Sequence, residues 1–279
     1  MFGVRLSPDG NALAVPLGYP SGDIWIFNLA NGTRRRLTFG APVVNTPVWS
    51  ADASRVAFSS DRLGGPFVSM YVKQSSGAGA EELLIESPLT QTPTDWSADG
   101  KFIAYNHYDP RGGSHRDVWI LDVAARKSFP FEQTDQGEAD AQFSRDGKWV
   151  AYTLTMEREE IYVVPFRSPA TAAAGGGAGR WQVSIKGGRY ARWRRDGREL
   201  FYLAPDGTVM AADVDGRGKS FEVKGVRPLF KVSTTPLTIN QGFPYDVSSD
   251  GQRFIVNAIA PQGSQPVVLV SNWPALIRR

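Results

Sequence analysis

The only two histidines of the chain, His107 and His115, fall in one stretch, Asn106-His107-Tyr108-Asp109-Pro110-Arg111-Gly112-Gly113-Ser114-His115-Arg116-Asp117. Two imidazoles and two carboxylates so close together are donors that suit a divalent cation. Their spacing matches no recognised metal pattern, however, and the Gly-Gly pair makes a loose holder. Asp117 is explained more simply as the residue that opens a strand, as Asp23 does earlier in the chain. The stretch therefore reads as an exposed loop, and no metal or cofactor is expected. Neither histidine has a visible nucleophile to serve as a general base. A second group, Arg189, Arg192, Arg194, Arg195 and Arg198, could grip a carboxylate or phosphate through its guanidinium forks. The plainer expectation is ion pairing with acids of neighbouring segments. Gly218-Lys219-Ser220 has the ending of a phosphate-binding loop, but Asp213 stands where its first glycine belongs and no helix follows. Neither a Gly-x-Ser-x-Gly elbow nor a His-Glu-x-x-His helix occurs. The chain has no cysteine, which excludes disulfides and thiol catalysis. No catalytic residue is expected.

What would position these groups is a repeat. Thr94-Asp95-Trp96-Ser97-Ala98-Asp99-Gly100-Lys101-Phe102-Ile103-Ala104-Tyr105 sets the pattern, and Phe143-Ser144-Arg145-Asp146-Gly147-Lys148-Trp149-Val150-Ala151-Tyr152 repeats it. Further copies centre on Asp9, Asp52, Asp196 and Asp250, so the six aspartates lie 43, 47, 47, 50 and 54 residues apart. Each copy keeps a large apolar residue three places before the Asp and apolar residues four and six places after it. Asp-Gly makes a tight turn, and the alternation that follows is that of a strand. The residue at +5, Ala in four copies, faces the other way, where a neighbouring unit packs closely. A period in the forties with strand-type alternation predicts a β-propeller. The expected fold is all-β, a six-bladed propeller of four-stranded antiparallel blades in one domain over residues 1–279.

Composition agrees. The 279 residues are ordinary in apolar content, and no apolar run is long enough for a membrane helix. A net charge of +3 is too dilute to suggest nucleic acid. No leader with a charged and then apolar region is visible at the N-terminus. That leaves the compartment open, and the chain is either cytoplasmic or a piece of something longer.

Third strands are expected at Asp23–Phe27, Met70–Val72, Asp117–Leu121, Glu160–Val164, Thr208–Ala211 and Val267–Val270. Outer strands are expected near Leu37, Leu84, Phe129, Gln182 and Leu229. The small-residue stretch Ser168–Gly179 reads as a flexible loop, and Pro274–Ile277 as a short helical turn. With only a few residues left after Val270, the sixth blade is expected to have a weak or missing outer strand that upstream residues of a longer parent would supply. The Asp-Gly turns share one face of the disc. The longer loops share the other, and there a binding site is expected at the channel mouth. The candidates at loop ends and strand starts are Asn45, Arg62, Gln91, His107, Tyr108, Glu138, Asp140, Tyr190 and Tyr245. The tryptophans Trp25, Trp49, Trp96, Trp119 and Trp193 are expected in the blade core.

The Trp-Ser-x-Asp-Gly-x-x-x-Ala-Tyr units, followed by Asp-Ile-Trp or Asp-Val-Trp, resemble the repeats of TolB-like propellers. Tyr245–Asn257, followed by Pro266–Trp273, resembles the end of the propeller fused to bacterial transmembrane serine/threonine kinases. The first resemblance covers nearly the whole chain, the second about its last 35 residues. Together they imply a six-bladed propeller of bacterial origin with a binding or scaffolding role outside the membrane. The family offers no catalytic motif, and the kinase triplets are missing from this sequence. Two units depart from the pattern: Ala53 follows Asp52 in place of Gly, and Arg194-Arg195 precede Asp196. The function expected is a non-catalytic protein-interaction or sensor module that takes a peptide or small anion. The alternative is an enzyme, of hydrolase or lyase type, that uses the channel as its active site.

Overall fold

A computed structural model describes residues 3–18, 22–40, 44–109, 111–112, 115–169, 179–218, 220–232 and 242–258, together with the backbone of 267–271. Most of the small-residue stretch (170–178) and the helical turn at 274–277 lie outside the described residues.

The strands follow the repeat. The first sheet holds β1 (Arg5–Leu6), β2 (Ala12–Leu17), β3 (Asp23–Asn28) and β4 (Arg34–Arg36). The second holds β5 (Val44–Trp49), β6 (Arg55–Ser60), β7 (Ser69–Gln74) and β8 (Glu82–Ile85). The third holds β9 (Thr90–Trp96), β10 (Phe102–Tyr108), β11 (Asp117–Asp122) and β12 (Lys127–Glu132). The fourth holds β13 (Gly137–Phe143), β14 (Trp149–Thr155), β15 (Glu159–Pro165) and β16 (Trp181–Gln182). The fifth holds β17 (Arg189–Trp193), β18 (Glu199–Leu203), β19 (Thr208–Asp215) and β20 (Glu222–Lys231). The last holds β21 (Tyr245–Val247), β22 (Arg253–Asn257) and β23 (Val267–Ser271). All pairings are antiparallel. The expectation of six four-stranded blades is corrected: five are four-stranded, and the remaining sheet has three strands among the described residues. The Gly218–Ser220 stretch lies in the connection from β19 to β20, a hairpin, so it opens no helix.

The packing explains the repeat's apolar register. Residues four and six places after each Asp pack toward the preceding sheet, and the residue between them packs toward the next. Ile103 and Tyr105 join the core that β6 and β7 line, whereas Ala104 joins the core shared with β13 and β14. Val150 and Tyr152 likewise face back while Ala151 faces forward. Ala14, Ala57, Ala104 and Ala151 are wholly buried. A larger side chain there would have to push two sheets apart.

The two ends of the ring meet at β1 and β21. Val4 and Leu13 pack with Ile255, and the Val4 N–H donates to the Phe243 carbonyl at 3.0 Å. A Cβ on Gly3 would lie 2.6 Å from the Phe243 nitrogen, so only glycine allows this approach.

Five of the Asp-Gly-type turns share one wiring. In the third sheet the Ser97 hydroxyl donates to Asp99 Oδ1 at 2.7 Å, the Lys101 N–H donates to the same oxygen at 3.1 Å, and the Phe102 N–H donates to Ser97 Oγ at 2.9 Å. In the fifth sheet the Arg194 guanidinium takes the place of the serine hydroxyl, reaching Asp196 at 2.8 and 2.6 Å. The turn survives the substitution. At Asp52 the glycine position is filled by Ala53 with φ of 59°, so the left-handed geometry is kept without the residue that adopts it freely.

Candidate functional site

The six inner strands β1, β5, β9, β13, β17 and β21 line the channel, and two repeat positions build it. Four places before each Asp the sequence reads Arg5, Val48, Asp95, Gln142, Arg192 and Asp246. Val48 packs in the core between the second and third sheets, and the five polar side chains link across the hub. Arg5 pairs with Asp95 at 2.9 Å and reaches Gln142 Oε1 at 3.4 Å. Arg192 donates to Gln142 Oε1 at 2.5 Å and pairs with Asp246 at 3.1 Å. Asp95 also accepts the Phe143 N–H at 2.9 Å, and Asp246 accepts the Leu6 N–H at 2.8 Å. Burial pushes the Asp95 carboxyl up to about 6, against the pull of Arg5 and the Phe143 N–H. Burial raises Asp246 as well, with Arg5 opposing. Two arginines and two aspartates therefore neutralise one another, and this belt closes the ring electrostatically near the Asp-Gly face.

The second position lies six places before each Asp, toward the loop face, and there the backbone departs from regular strand. Thr46, Asp140 and Tyr190 hold φ of 49°, 60° and 61° in β5, β13 and β17. Each lies in a gap in strand register: Asn45 to Val48, Ala139 to Gln142, and Arg189 to Arg192. Such residues cost on the order of 1–3 kcal/mol each and persist only where the surroundings enforce them. Here the bulges turn side chains into the channel. Asp140 and Tyr190 meet Asn106, Arg116 and Arg189 around a small cavity of about 20 Å3. The Asn106 amide donates to Asp140 Oδ1 at 3.4 Å, and the Asp140 N–H donates to Asn106 Oδ1 at 2.9 Å. Asp140 Oδ2 and Arg116 Nε are buried without a hydrogen-bond partner among the described residues, and such groups call for an explanation. Arg189 pairs with Glu159 at 3.0 Å. Burial, then Asp140, raises the Tyr190 phenol. Next to this cavity a groove of about 780 Å3 runs between the fourth and fifth sheets, lined by Arg189, Tyr190, Met156, Leu203, Pro205 and Val232.

The other residues expected at the site are distributed around the blades. Tyr245 is fully buried and donates its hydroxyl to the Tyr190 carbonyl at 2.8 Å, so it supports Tyr190 from behind. Glu138, two residues before Asp140, is buried; burial raises its carboxyl, and the Thr134 hydroxyl is bonded to it. Gln91 and His107 are register partners on β9 and β10. Gln91 accepts the Met70 N–H at 3.3 Å, and His107 Nε2 lies 3.2 Å from Ser87 Oγ. Burial lowers the His107 pKa, while Asp117 opposes it. Tyr108 lies under the Arg116 guanidinium at 5.5 Å. Asn45 is half-buried beside Thr46, its Oδ1 unpaired among the described residues. Arg62 stands apart, paired with Glu81 at 3.0 Å and lying over Tyr71.

His115 faces Asp117 at 3.4 Å and Asp109 is taken by Arg111 at 3.0 Å, so the histidine stretch does not gather its donors. Among the described residues no three of His, Cys, Asp and Glu stand close enough to hold a metal. Sequence reasoning missed the hub belt and Arg116. The belt's signal was present as the column four places before each Asp.

No known protein family's sequence profile matches the chain. Among solved structures it is similar to TolB from Acinetobacter baumannii, with a TM-score of 0.68 and 16% identity over 95% of this chain and 62% of that one. A protein named as TolB from Agrobacterium tumefaciens gives 0.62 and 18% over 81% of this chain and 80% of that one. An oligogalacturonate lyase in complex with manganese gives 0.62 and 12% over 97% and 73%. The chain thus spans less than two thirds of the Acinetobacter protein. At these identities the likeness establishes the fold, a β-propeller, and nothing finer.

Proposed function

We propose that the chain is a non-catalytic binding or scaffolding propeller that takes a peptide segment of a partner protein at the loop-face end of its channel. The observation that carries this reading is two buried groups without a hydrogen-bond partner among the described residues, Asp140 Oδ2 and Arg116 Nε, around a cavity that three left-handed inner-strand residues line. The cavity of about 20 Å3 has room for about one water, and a peptide at the mouth would reach the carboxylate and the guanidinium through such a bridging water. The adjoining groove would receive an apolar side chain against Met156, Leu203 and Pro205. The resemblance of Tyr245–Asn257 and Pro266–Trp273 supports the finer reading of a sensor portion of a bacterial signalling kinase. The complete coding region tests that finer reading.

The test of binding is selection of peptides from a displayed library against the chain, followed by titration calorimetry. Asp140→Asn keeps a residue that tolerates the left-handed backbone, removes the charge and turns one acceptor oxygen into an amide donor. A charge-assisted hydrogen bond is worth about 1.5–3 kcal/mol, so affinity should fall roughly 10- to 150-fold. Undiminished affinity in this variant would sink the assignment. A second reading, catalysis in the channel, draws on the fold shared with the lyase. The donor set among the described residues does not fit a metal centre. An activity screen that found turnover abolished by His107→Ala or Asp140→Asn would establish this second reading in place of the first.

A further inference from the structure

The opposite mouth of the channel, on the Asp-Gly face, is a separate feature. A funnel of about 190 Å3 opens there above the hub belt, walled by Trp49, Trp96, Phe143 and Trp193 and rimmed by Arg145 and Arg195. Its arginines differ in how they are engaged. Arg5 and Arg192 are spent on Asp95 and Asp246, and Arg194 is spent on Asp196 and Glu199. Arg145 and Arg195 are exposed, and no ion pair or side-chain hydrogen bond engages either guanidinium among the described residues. The two come from successive turns of the fourth and fifth sheets, where each stands immediately before the turn aspartate. They also line a second cavity of about 170 Å3 that shares Trp193 with the funnel. Of the two turn carboxylates beside them, Asp196 is paired with Arg194, and Asp146 is bound by the Ser144 hydroxyl at 2.7 Å and the Lys148 N–H at 3.1 Å.

We infer that this funnel is an oxyanion site for a carboxylate or phosphate carried on a flat apolar body. The two guanidiniums would take the oxygens, and the indoles would take the body. Arginine forks match the geometry of both oxyanions, and no ion pair engages either fork among the described residues. Aromatic walls favour an anion with a ring over a bare one. The belt beneath sets the depth: its arginines and aspartates are ion-paired with one another, and Arg192 Nη2 keeps a buried donor without a hydrogen-bond partner there among the described residues.

The probes are benzoate, phenyl phosphate, inorganic phosphate and uncharged benzyl alcohol, titrated against the full chain by calorimetry and tryptophan fluorescence. Benzoate or phenyl phosphate should bind saturably, and the tighter of the two identifies carboxylate or phosphate as the preferred group. Inorganic phosphate should bind at least tenfold more weakly, and benzyl alcohol more weakly still. The double variant Arg145→Gln, Arg195→Gln should lose at least tenfold in affinity for the ring anions with unchanged circular dichroism. Arg145→Lys, Arg195→Lys should fall between. The inference is overturned if no ring anion binds saturably, if benzyl alcohol binds as tightly as benzoate, or if the Gln variant binds undiminished. Because these residues lie on the face away from Asp140, Asp140→Asn should leave the anion titration unchanged, and a loss there would overturn a separate site.

Discussion

Asp99→Ala tests whether the six repeated aspartates are structural. The carboxylate accepts two hydrogen bonds through one oxygen, from the Ser97 hydroxyl at 2.7 Å and the Lys101 N–H at 3.1 Å. Each is worth about 0.5–1.5 kcal/mol net. The Asp99 side chain is half exposed, and its ion pair with Lys101 at 3.6 Å lies on the surface and adds little. Together these predict a loss of roughly 1–2 kcal/mol. For a chain of this length that corresponds to about 2–4 °C in melting temperature. Denaturant unfolding followed by tryptophan fluorescence reads the loss directly. Slight burial tends to raise the Asp99 pKa, but the Ser97 hydroxyl and the Lys101 N–H bring it below the usual carboxylate range. The contribution is therefore present above about pH 4 and lost as pH falls through the lowered folded value. The difference between wild type and variant should shrink in acid. Asp99→Asn, which keeps the acceptor oxygen, should lose less than Asp99→Ala. Full stability in Asp99→Ala together with lost peptide binding would refute the structural account of these turns.

Three further outcomes are expected. Ala53→Gly should stabilise the fold by roughly 0.5–1 kcal/mol, because relief of a left-handed alanine outweighs the added freedom of the unfolded chain; a shift of the denaturation midpoint to higher urea checks it. Stability should decline as pH rises from about 4 toward 7, since burial raises the Asp95 carboxyl to about 6 and a raised acid favours the folded state only while protonated. Asp95→Asn should flatten that decline in unfolding curves taken across the range. Amide exchange should be faster in Val267–Val270 of β23, which pairs only with β22 among the described residues, than in Val118–Leu121 or Ile161–Val164, whose strands are paired on both sides; equal protection in all three would show that β23 is covered.

The repeat made the propeller legible because one physical rule, alternation after a tight turn, recurs in every unit. Even the forward-facing Ala104 and Ala151 could be read as points where sheets approach closely. The outer edge of the last sheet was less certain, since a strand there has to come from residues that carry no repeat signal. Asp140 and Tyr190 were legible as loop-face residues, yet nothing in their identity announces a positive φ. That geometry comes from the bulges, which are set by how β13 and β17 pair with their neighbours. Arg116 escaped notice because it comes from a loop after the hairpin and reaches the channel through space. The arginine cluster divided as well: Arg189, Arg192 and Arg194 are ion-paired, whereas Arg195 and Arg198 are in no ion pair among the described residues. Sequence spacing cannot distinguish these cases, because the partners Glu159 and Asp246 come from neighbouring sheets, while Glu199 lies across the same turn as Arg194.

The central claim, that a partner peptide is taken at the loop-face end of the channel, is tested most directly by hydrogen exchange of the chain with and without a selected peptide. The account predicts slowed exchange confined to the bulged segments around Asp140 and Tyr190 and to the neighbourhood of Arg116, with the Asp-Gly turns unaffected. Protection confined to the outer strands β4, β8, β12, β16 and β20, with the bulges unchanged, would contradict it.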